Sequence, residues 1–140
     1  MTVLEILPRC FPVLIITNNL PCVLDLVIVD IAVAHQCSAA VSSDGNLFTW
    51  GYDPGSGILG QQEETFLPFT LKVPQKLSMF SESDCKAQNV VFGAQHTLVL
   101  TQDHRVYAFG DDSKGQCGLG KLAAKNNPAL VEFGGDVKVR

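Results

Sequence analysis

The chain of 140 residues repeats itself, and this repeat limits its fold more than any other feature. Shifting the sequence by 59 residues places 31–45 on 90–104, and one extra residue in the second glycine-rich turn then moves the offset to 60. The matched pairs are Gln36 with Gln95, Asp44 with Asp103, Gly51 with Gly110, Gly55 with Gly115, Leu59 with Leu119, Gly60 with Gly120 and Pro68 with Pro128. A period near 60 residues indicates a chain built from repeated supersecondary units.

The amino-acid composition limits the class of protein to which the chain can belong. Its 46% hydrophobic and 17% charged residues are unlike the composition of disordered polar chains and predict a globular structure. Its net charge is −4, and lysine and arginine form no cluster along the sequence. We therefore expect no binding to nucleic acid and none to an anionic membrane surface.

The cysteines show no pattern typical of disulfides or zinc. There are five, an odd number, without CxxC pairs or zinc-ligand spacing to the three histidines. This favours a reducing compartment, the cytoplasm or the nucleus. The uncharged run 10–24 contains two prolines and is too short to span a bilayer, although Phe11–Ile16 leaves a signal peptide as an alternative.

Residues 31–89 make one full period of short apolar segments separated by turns. Ile31–Ala34 is predicted to be a fully buried strand, and the Asp-Gly pair in 43–46 favours a hairpin turn. Residues 75–88 are polar, so we expect a loop there. The remaining predicted strands of this period are Ala39–Ser42, Leu47–Trp50 and Thr70–Val73.

Residues 90–140 repeat this order, with a turn at 102–104 and a glycine-rich turn that ends at Gly120. The chain stops at Val137–Arg140, shortly before a third copy of the first strand would begin. The predicted strands are Val90–Phe92, Thr97–Thr101, Arg105–Phe109 and Leu130–Phe133.

Residues 1–30 fit the period less well. Val13–Ile16 and Val23–Val29 are predicted strands, and Pro8 keeps the phase of the two later prolines. We interpret 1–30 as the trailing part of an earlier, degenerate repeat. The alternative is an unpatterned N-terminal segment without a native partner.

The second copy carries a specific combination of motifs: His96-Thr-Leu-Val-Leu100, Asp103, Val106-Tyr-Ala-Phe-Gly110 and Gly115-Gln-Cys-Gly-Leu-Gly120. In this order they resemble the repeat of the regulator of chromosome condensation family. Residues 31–60 match it more loosely, and the resemblance covers about two-thirds of the chain. It implies an all-β fold, a partial β-propeller with about two blades of antiparallel strands, 31–89 and 90–140, plus a remnant of a preceding one.

The resemblance assigns structural roles to the repeated positions. It implies that His96 forms a hydrogen bond within its blade and that Trp50 and Phe109 pack between blades. Cys37 replaces the histidine in the first copy, and His104 replaces the turn glycine in the second, so the member is divergent. The full set of structural repeat positions is Gly51, Gly60, Gly93, His96, Asp103, Gly110, Gly115, Gly118, Gly120, Trp50 and Phe109.

Candidate chemical sites have simpler explanations in the repeat. The GxGxxG pattern at 55–60 precedes Pro68 and strand formers instead of the helix that a dinucleotide site needs. His96 with Cys37 or Cys117 suggests a nucleophile, but it belongs to the repeat motif. Asp44 and Asp103 occupy equivalent turns, where aspartate bonds its own backbone, and Asp53, Asp111 and Asp112 lack an oxygen cage for a cation. We expect no catalytic, cofactor or metal site and no enzymatic activity.

Two blades and a remnant cannot close a propeller, which uses about 4–8 blades. We therefore expect a fragment or short isoform of a longer propeller protein, or self-association through open blade edges. The predicted function is a protein-interaction module whose loops bind a protein partner. One alternative is nucleotide exchange on a small GTPase by the full-length parent, and another is a non-autonomous truncated product without activity.

Overall fold

The computed structural model describes residues 11–12, 26–61, 67–81, 84–120, 126–135 and 137–140. These residues form nine strands and one short 3₁₀ turn, which confirms the predicted all-β class. In chain order the elements are β1 (Phe11–Pro12), β2 (Val27–Val33), β3 (Cys37–Ser42), β4 (Leu47–Asp53), β5 (Phe69–Lys76), the 3₁₀ turn Ser78–Ser81, β6 (Ala87–Phe92), β7 (His96–Thr101), β8 (Val106–Gly110) and β9 (Ala129–Leu130).

The strands form two antiparallel sheets in which each strand pairs with its neighbour in sequence. The first sheet has the order β1-β2-β3-β4-β5 and the second β6-β7-β8-β9. Strands β2 to β5 correspond to β6 to β9, so one repeat makes one sheet. Short connections favour this arrangement, because antiparallel neighbours need only a tight turn.

Hairpin turns match between the repeats in backbone conformation. Gly45 has φ +83°, and His104, at the equivalent position, has φ +66°. The left-handed region disfavours side chains, so the turn imposes this conformation on His104. The turns predicted at 43–46 and 102–104 are therefore confirmed.

A hydrophobic core lies between the two sheets. It receives side chains from β3 and β4 on one side and from β6, β7 and β8 on the other. Its buried members are Ala39, Val41, Leu47, Leu77, Phe80, Cys85, Ala87, Val90, Val99, Tyr107 and Phe109. Each sheet thus uses one of its faces to stabilise the other sheet.

The loop expected at 75–88 is shorter than predicted and contains a 3₁₀ turn. Strand β5 continues to Lys76, and the 3₁₀ turn Ser78–Ser81 then places Phe80 in the core, where it is 0% exposed. Leu77 and Cys85 are buried beside it. The polar residues of this segment face outward while its few apolar ones close the gap between the sheets.

The expectation of a fully buried strand at Ile31–Ala34 is also wrong. Ile31 is 59% and Val33 76% exposed, whereas Ala32 packs against the core. Only one face of β2 meets the second sheet, so alternate side chains remain in contact with solvent. An apolar run cannot by itself distinguish a strand covered on both faces from one covered on a single face.

Other predicted strands are confirmed with shifted bounds. The segment predicted at 70–73 lengthens into β5, whereas that predicted at 130–133 shortens to β9. Strands β2 and β6 begin before the repeat boundaries at residues 31 and 90. The predicted strand at 13–16, Pro8 and residues 23–25 lie outside the described residues.

Among the residues that the structure describes, none belongs to a helix long and apolar enough to span a membrane.

Candidate functional site

Both glycine-rich turns emerge from the same end of their sheets. Gly51 of β4 lies opposite Cys37, the first residue of β3, and Gly110 of β8 lies opposite His96, the first residue of β7. The turns after β4 and β8 therefore lie next to the short turns that precede β3 and β7. We call this end, made by residues 34–36, 54–61, 93–95 and 111–120, the glycine-turn face.

Gly51 and Gly110 are required where the chain enters these turns. Their φ angles are +111° and +106°, and a Cβ atom at Gly110 would lie 2.5 Å from the carbonyl oxygen of Gln95. The amide of Asp111 donates a hydrogen bond of 2.8 Å to that oxygen, and Tyr52 does the same to Gln36 in the first sheet. Glycine at both positions thus permits a close backbone approach.

A buried carboxylate organises the first glycine turn. Oδ1 of Asp53 accepts hydrogen bonds from the amides of Gly55, Ser56 and Gly57 at 2.8–3.1 Å, and Oδ2 accepts one from Leu59 at 3.2 Å. Asp53 is fully buried. Because these donors compensate the desolvated charge, the carboxylate acts as the internal support of the turn.

Aspartates also support the second glycine turn. Oδ1 of Asp112, which is equivalent to Asp53, accepts a hydrogen bond of 2.8 Å from the amide of Cys117. Oδ2 of Asp111 accepts bonds from Ser113 and Gln116. The described residues contain no group of three or more histidine, cysteine, aspartate or glutamate side chains suited to a metal ion.

Phe109 packs against the first glycine turn. A Cβ atom at Gly60 would lie 2.7 Å from Cε2 of Phe109 and 2.8 Å from Leu77, so this glycine leaves room for the ring. Phe109 is buried between the sheets. Trp50, its counterpart in β4, is only half-buried.

His96 lies against Gly93, its partner in the turn between β6 and β7. A Cβ atom at Gly93 would lie 2.1 Å from Cε1 of the imidazole. The backbone of the same two residues is joined by a hydrogen bond of 2.8 Å from Gly93 to His96. The described residues provide no hydrogen-bond partner for the imidazole itself, so the expected bond within the blade is not found among them.

The predicted backbone bonds of the turn aspartates are largely replaced by side-chain bonds. Asp44 accepts hydrogen bonds from Ser42 and Asn46, and Asp103 accepts them from Thr101 and Arg105. Desolvation is the largest single influence and by itself raises the pKa of Asp103, but the hydrogen bonds from Thr101 and Arg105 and the charge of Arg105 together outweigh it and lower this pKa. Both aspartates stabilise hairpins at the end of the sheets opposite the glycine-turn face.

Two contacts between the sheets escaped sequence analysis. The hydroxyl of Thr97 donates a hydrogen bond of 2.7 Å to the carbonyl oxygen of Ile58, and Oδ2 of Asp30 accepts one of 2.8 Å from the amide of Val90. The repeat marks these as recurring positions, but periodicity alone does not show which residues of neighbouring repeats meet.

Replacing Thr97 by valine is expected to lower the free energy of unfolding by about 1–3 kcal/mol, because the buried carbonyl of Ile58 loses its donor. Urea unfolding measures this. Ser38→Ala is the matched control, since Ser38 holds the same repeat position on the exposed side of the first sheet, and its cost should stay within about 0.5 kcal/mol. Equal costs for the two variants would show that the contact between the sheets is energetically unimportant.

Three cysteines of the described residues, Cys37, Cys85 and Cys117, are buried and form no disulfide bond. Burial, followed by the nearby Asp112 and Asp111 charges, raises the pKa of Cys117 to about 11. Burial and the Asp53 charge also raise the pKa of Cys37. The thiols of Cys37 and Cys117 are therefore protonated near neutral pH, which makes them poor nucleophiles.

Alkylation of Cys117 at pH 8 is expected to be about 100-fold slower in the folded chain than in urea, because a shift from 9.0 to about 11 lowers the thiolate fraction by that factor. Mass spectrometry of the modified peptide measures the rate. The unfolded chain loses this proton first, so stability should fall as the pH rises from 9.0 towards 11. Equal rates in the two states would contradict burial of this thiol.

Comparison with protein families gives a direct match. A model of the regulator of chromosome condensation (RCC1) repeat matches residues 44–100 and 103–140, and a second model of this repeat matches 87–116. Both cover the His96 motif of the second sheet; the first also covers its whole glycine turn, whereas the second ends within that turn.

Curated relatives share this repeat over most of the chain. The ultraviolet-B receptor UVR8 of Arabidopsis thaliana is 31% identical over 94 residues, which are 66% of this chain and 20% of the relative. The X-linked retinitis pigmentosa GTPase regulator homolog of Caenorhabditis elegans is 34% identical over 107 residues, or 74% of this chain and 7% of the relative. The chain thus spans a fifth or less of the length of either protein.

Solved structures show the fold. Human WBSCR16 superposes with a TM-score of 0.69 and 18% identity, covering 85% of this chain and 29% of that structure. Prp20p of Saccharomyces cerevisiae, described with its binding properties to Gsp1p and histones, has a TM-score of 0.66 and 22% identity over 81% of this chain and 27% of its own. These likenesses confirm the predicted partial β-propeller.

Proposed function

The chain belongs to the regulator of chromosome condensation repeat family, and from this membership we propose that it is a protein-interaction module with no catalytic activity of its own. This proposal rests on the hydrogen bonds by which aspartate side chains hold the two glycine turns. Asp53, Asp111 and Asp112 accept hydrogen bonds from backbone amides of their own turns, so the loop shape does not depend on the side chain of Lys114 at the exposed tip. Loops fixed on a rigid scaffold are typical binding elements.

The second glycine turn is the better candidate for contact with a partner. Ser113, Lys114 and Gly115 are exposed at its tip, whereas residues 56–60 of the first turn are buried under the second sheet. A turn whose shape is already set loses little conformational entropy on binding. We therefore place the partner on the glycine-turn face, above residues 111–120.

Site-specific photo-crosslinking tests this placement. A photoreactive amino acid at Lys114 should capture a protein partner in cells, whereas the same group at Gln102, which is exposed at the opposite end of the sheet, should not. Capture from Gln102 alone, or equal capture from both positions, would place the binding surface elsewhere.

Regulation of a small GTPase is a second candidate. The name of the C. elegans relative, a GTPase regulator homolog, favours it, and Prp20p is described as binding Gsp1p. Release of labelled GDP from a panel of small GTPases, measured with this chain and with any longer form of the protein, tests it. If neither form stimulates GDP release, regulation of a small GTPase is excluded, whereas the proposed protein-interaction function is unaffected.

We further propose that the two sheets work within a larger propeller in a reducing compartment, the cytoplasm or the nucleus. Exposed apolar side chains on both outer faces support the first part, since closed propellers use about 4–8 blades. Buried thiols without disulfides support the second. If the chain shows no cooperative urea transition, it is non-autonomous, and binding must then be measured with a longer form.

A further inference from the structure

The connection between the two sheets carries acidic residues directly after a serine. Its sequence is Ser81-Glu82-Ser83-Asp84, so negative charges stand one and three positions after Ser81. In the described part of the chain, no other serine or threonine is followed by acidic residues at both of these positions. A protein with a basic binding surface can recognise such a pattern by its charge.

The hydroxyl of Ser81 lies at the surface, although the residue before it is fully buried. Oγ of Ser81 donates a hydrogen bond of 2.6 Å to the carbonyl oxygen of Ser78, at the start of the 3₁₀ turn. Phe80, which is 0% exposed, anchors this turn in the core. The fold therefore presents the hydroxyl outward, where a charged group attached to it stays in contact with solvent.

An ammonium group already lies beside Ser81. Nζ of Lys86 donates a hydrogen bond of 3.2 Å to the carbonyl oxygen of Ser81. This oxygen is a neutral acceptor, and charge-assisted hydrogen bonds to an anion are stronger. A phosphate on Oγ of the same residue is within reach of the same ammonium and offers three strong acceptor oxygens.

Contacts with the first sheet hold Lys86 in place. A Cβ atom at Gly45 would lie 2.6 Å from Cβ and 2.8 Å from Cδ of Lys86, so the aliphatic part of the side chain packs on the hairpin turn 43–46. The amide of Gln102 donates to the carbonyl oxygen of Lys86 at 2.8 Å, and the amide of Ala87 donates to that of Gly45 at 2.9 Å. A side chain fixed in this way loses little conformational entropy when its ammonium binds an anion.

Lys86 differs from the other cation at this connection. Arg105 donates a hydrogen bond of 2.9 Å to the carbonyl oxygen of Asp84. Among the described residues, Arg105 also forms an ion pair with Asp103, whereas Lys86 pairs with no carboxylate. The charge of Lys86 is thus the one at this connection that an added phosphate can neutralise without breaking an ion pair.

We propose that Ser81 is a phosphorylation site and that Lys86 binds its phosphate. The modifying enzyme is a protein kinase with a basic peptide-binding surface, because the residues after Ser81 are acidic. Oγ of Ser81 forms a bond to the γ-phosphorus of ATP, the bond from that phosphorus to the bridging oxygen breaks, and ADP leaves. The hydroxyl proton passes to a base of the kinase, so the hydrogen bond to Ser78 is replaced by bonds from Lys86 to the phosphate.

The phosphate adds a charge of about −1.5 to −2 beside the hairpin turn 43–46. It fastens the connection between the sheets to the turn on which Lys86 packs. The inference goes beyond the proposed function and does not depend on which partner the glycine-turn face binds.

Incubation of the chain with a purified acidophilic casein kinase and labelled ATP tests the site. Mass spectrometry should place the phosphate on Ser81, and Ser81→Ala should lower incorporation by about 10-fold, since the charge pattern that the kinase recognises surrounds this residue. Ser78→Ala is the matched control. Ser78 is an exposed serine of the same 3₁₀ turn without acidic residues at the two positions, so its loss should leave incorporation unchanged.

Phosphorus NMR of the phosphorylated chain tests the contact with Lys86. A nearby ammonium favours the dianion, so the pKa of the phosphate should be lower in buffer than in urea. Lys86→Gln should abolish this difference. Lys114→Gln removes the same charge from the tip of the second glycine turn and should preserve it.

Two sets of results would overturn the proposal. Absence of phosphate, phosphate mainly on Ser78 or Ser83, or full incorporation into the Ser81→Ala variant would show that Ser81 is not the site. Equal pKa values of the phosphate in buffer and in urea, or a difference that persists in the Lys86→Gln variant, would show that Lys86 does not bind it.

Discussion

Replacing Phe80 by alanine is expected to lower the free energy of unfolding by about 3–5 kcal/mol. The ring is fully buried between the two sheets and meets Tyr107 edge to face, with ring centroids 5.8 Å apart and an interplanar angle of 88°. Its removal leaves a cavity that residues from two sheets cannot fill without moving together. Urea unfolding followed by circular dichroism measures the loss as a lower midpoint with an unchanged slope.

Phe133→Ala is the matched control for Phe80→Ala. Phe133 is 53% exposed, so the same truncation there should cost within about 0.5 kcal/mol. If both variants lose equal stability, residues 75–88 do not contribute to the core, and the loop expected from their composition describes the segment better than the 3₁₀ turn does.

Gly110→Ala is expected to cost about 3 kcal/mol or more. The substitution combines a strained backbone at φ +106° with a Cβ atom only 2.5 Å from the carbonyl oxygen of Gln95 and 2.6 Å from Cα of His96. Both obstructing atoms belong to the backbone of a paired strand end, so they cannot rotate away as a side chain could. Relief requires opening the pairing between β7 and β8, where the second glycine turn begins.

Gly115→Ala separates the two contributions to this loss. Gly115 also has positive φ, +76°, but a Cβ atom there would meet nothing within 4 Å. We expect a cost of about 1–2 kcal/mol from the backbone conformation alone. The difference between the two variants, measured by urea unfolding, is the cost of the steric overlap at Gly110, and no difference would contradict the close approach of Gly110 to the 93–96 turn.

Much of the local structure followed from the sequence. The strands around 39–42, 47–50, 97–101 and 105–109 form where alternation and turn residues predicted them. The hairpin turns are found as expected because Asp-Gly pairs and their equivalents act over a few residues. Short-range chemistry decides such features, so a single sequence contains the information needed to predict them.

The roles of residues that contact the neighbouring repeat were harder to predict from the sequence. Phe80 lies in a polar segment with no strand pattern, and its burial depends on two sheets approaching over it. The hydrogen bonds from Thr97 to Ile58 and from Val90 to Asp30 join residues 39 and 60 positions apart. These partners meet because the two sheets pack together, and the sequence around each residue does not indicate its distant partner.

By itself the sequence determined the period, the class of fold, the glycine positions of the turns and the family to which the repeat belongs, because each depends on spacing or on backbone conformation. Only the tertiary structure decided which face of each sheet is covered. Ile31 and Val90 have the same place in the repeat and nearly the same chemistry, yet one is exposed and the other buried. Whether a repeated side chain is buried depends on the sheet that lies next to it. Equivalent residues of the two repeats therefore differ in exposure where only one of them faces the other sheet.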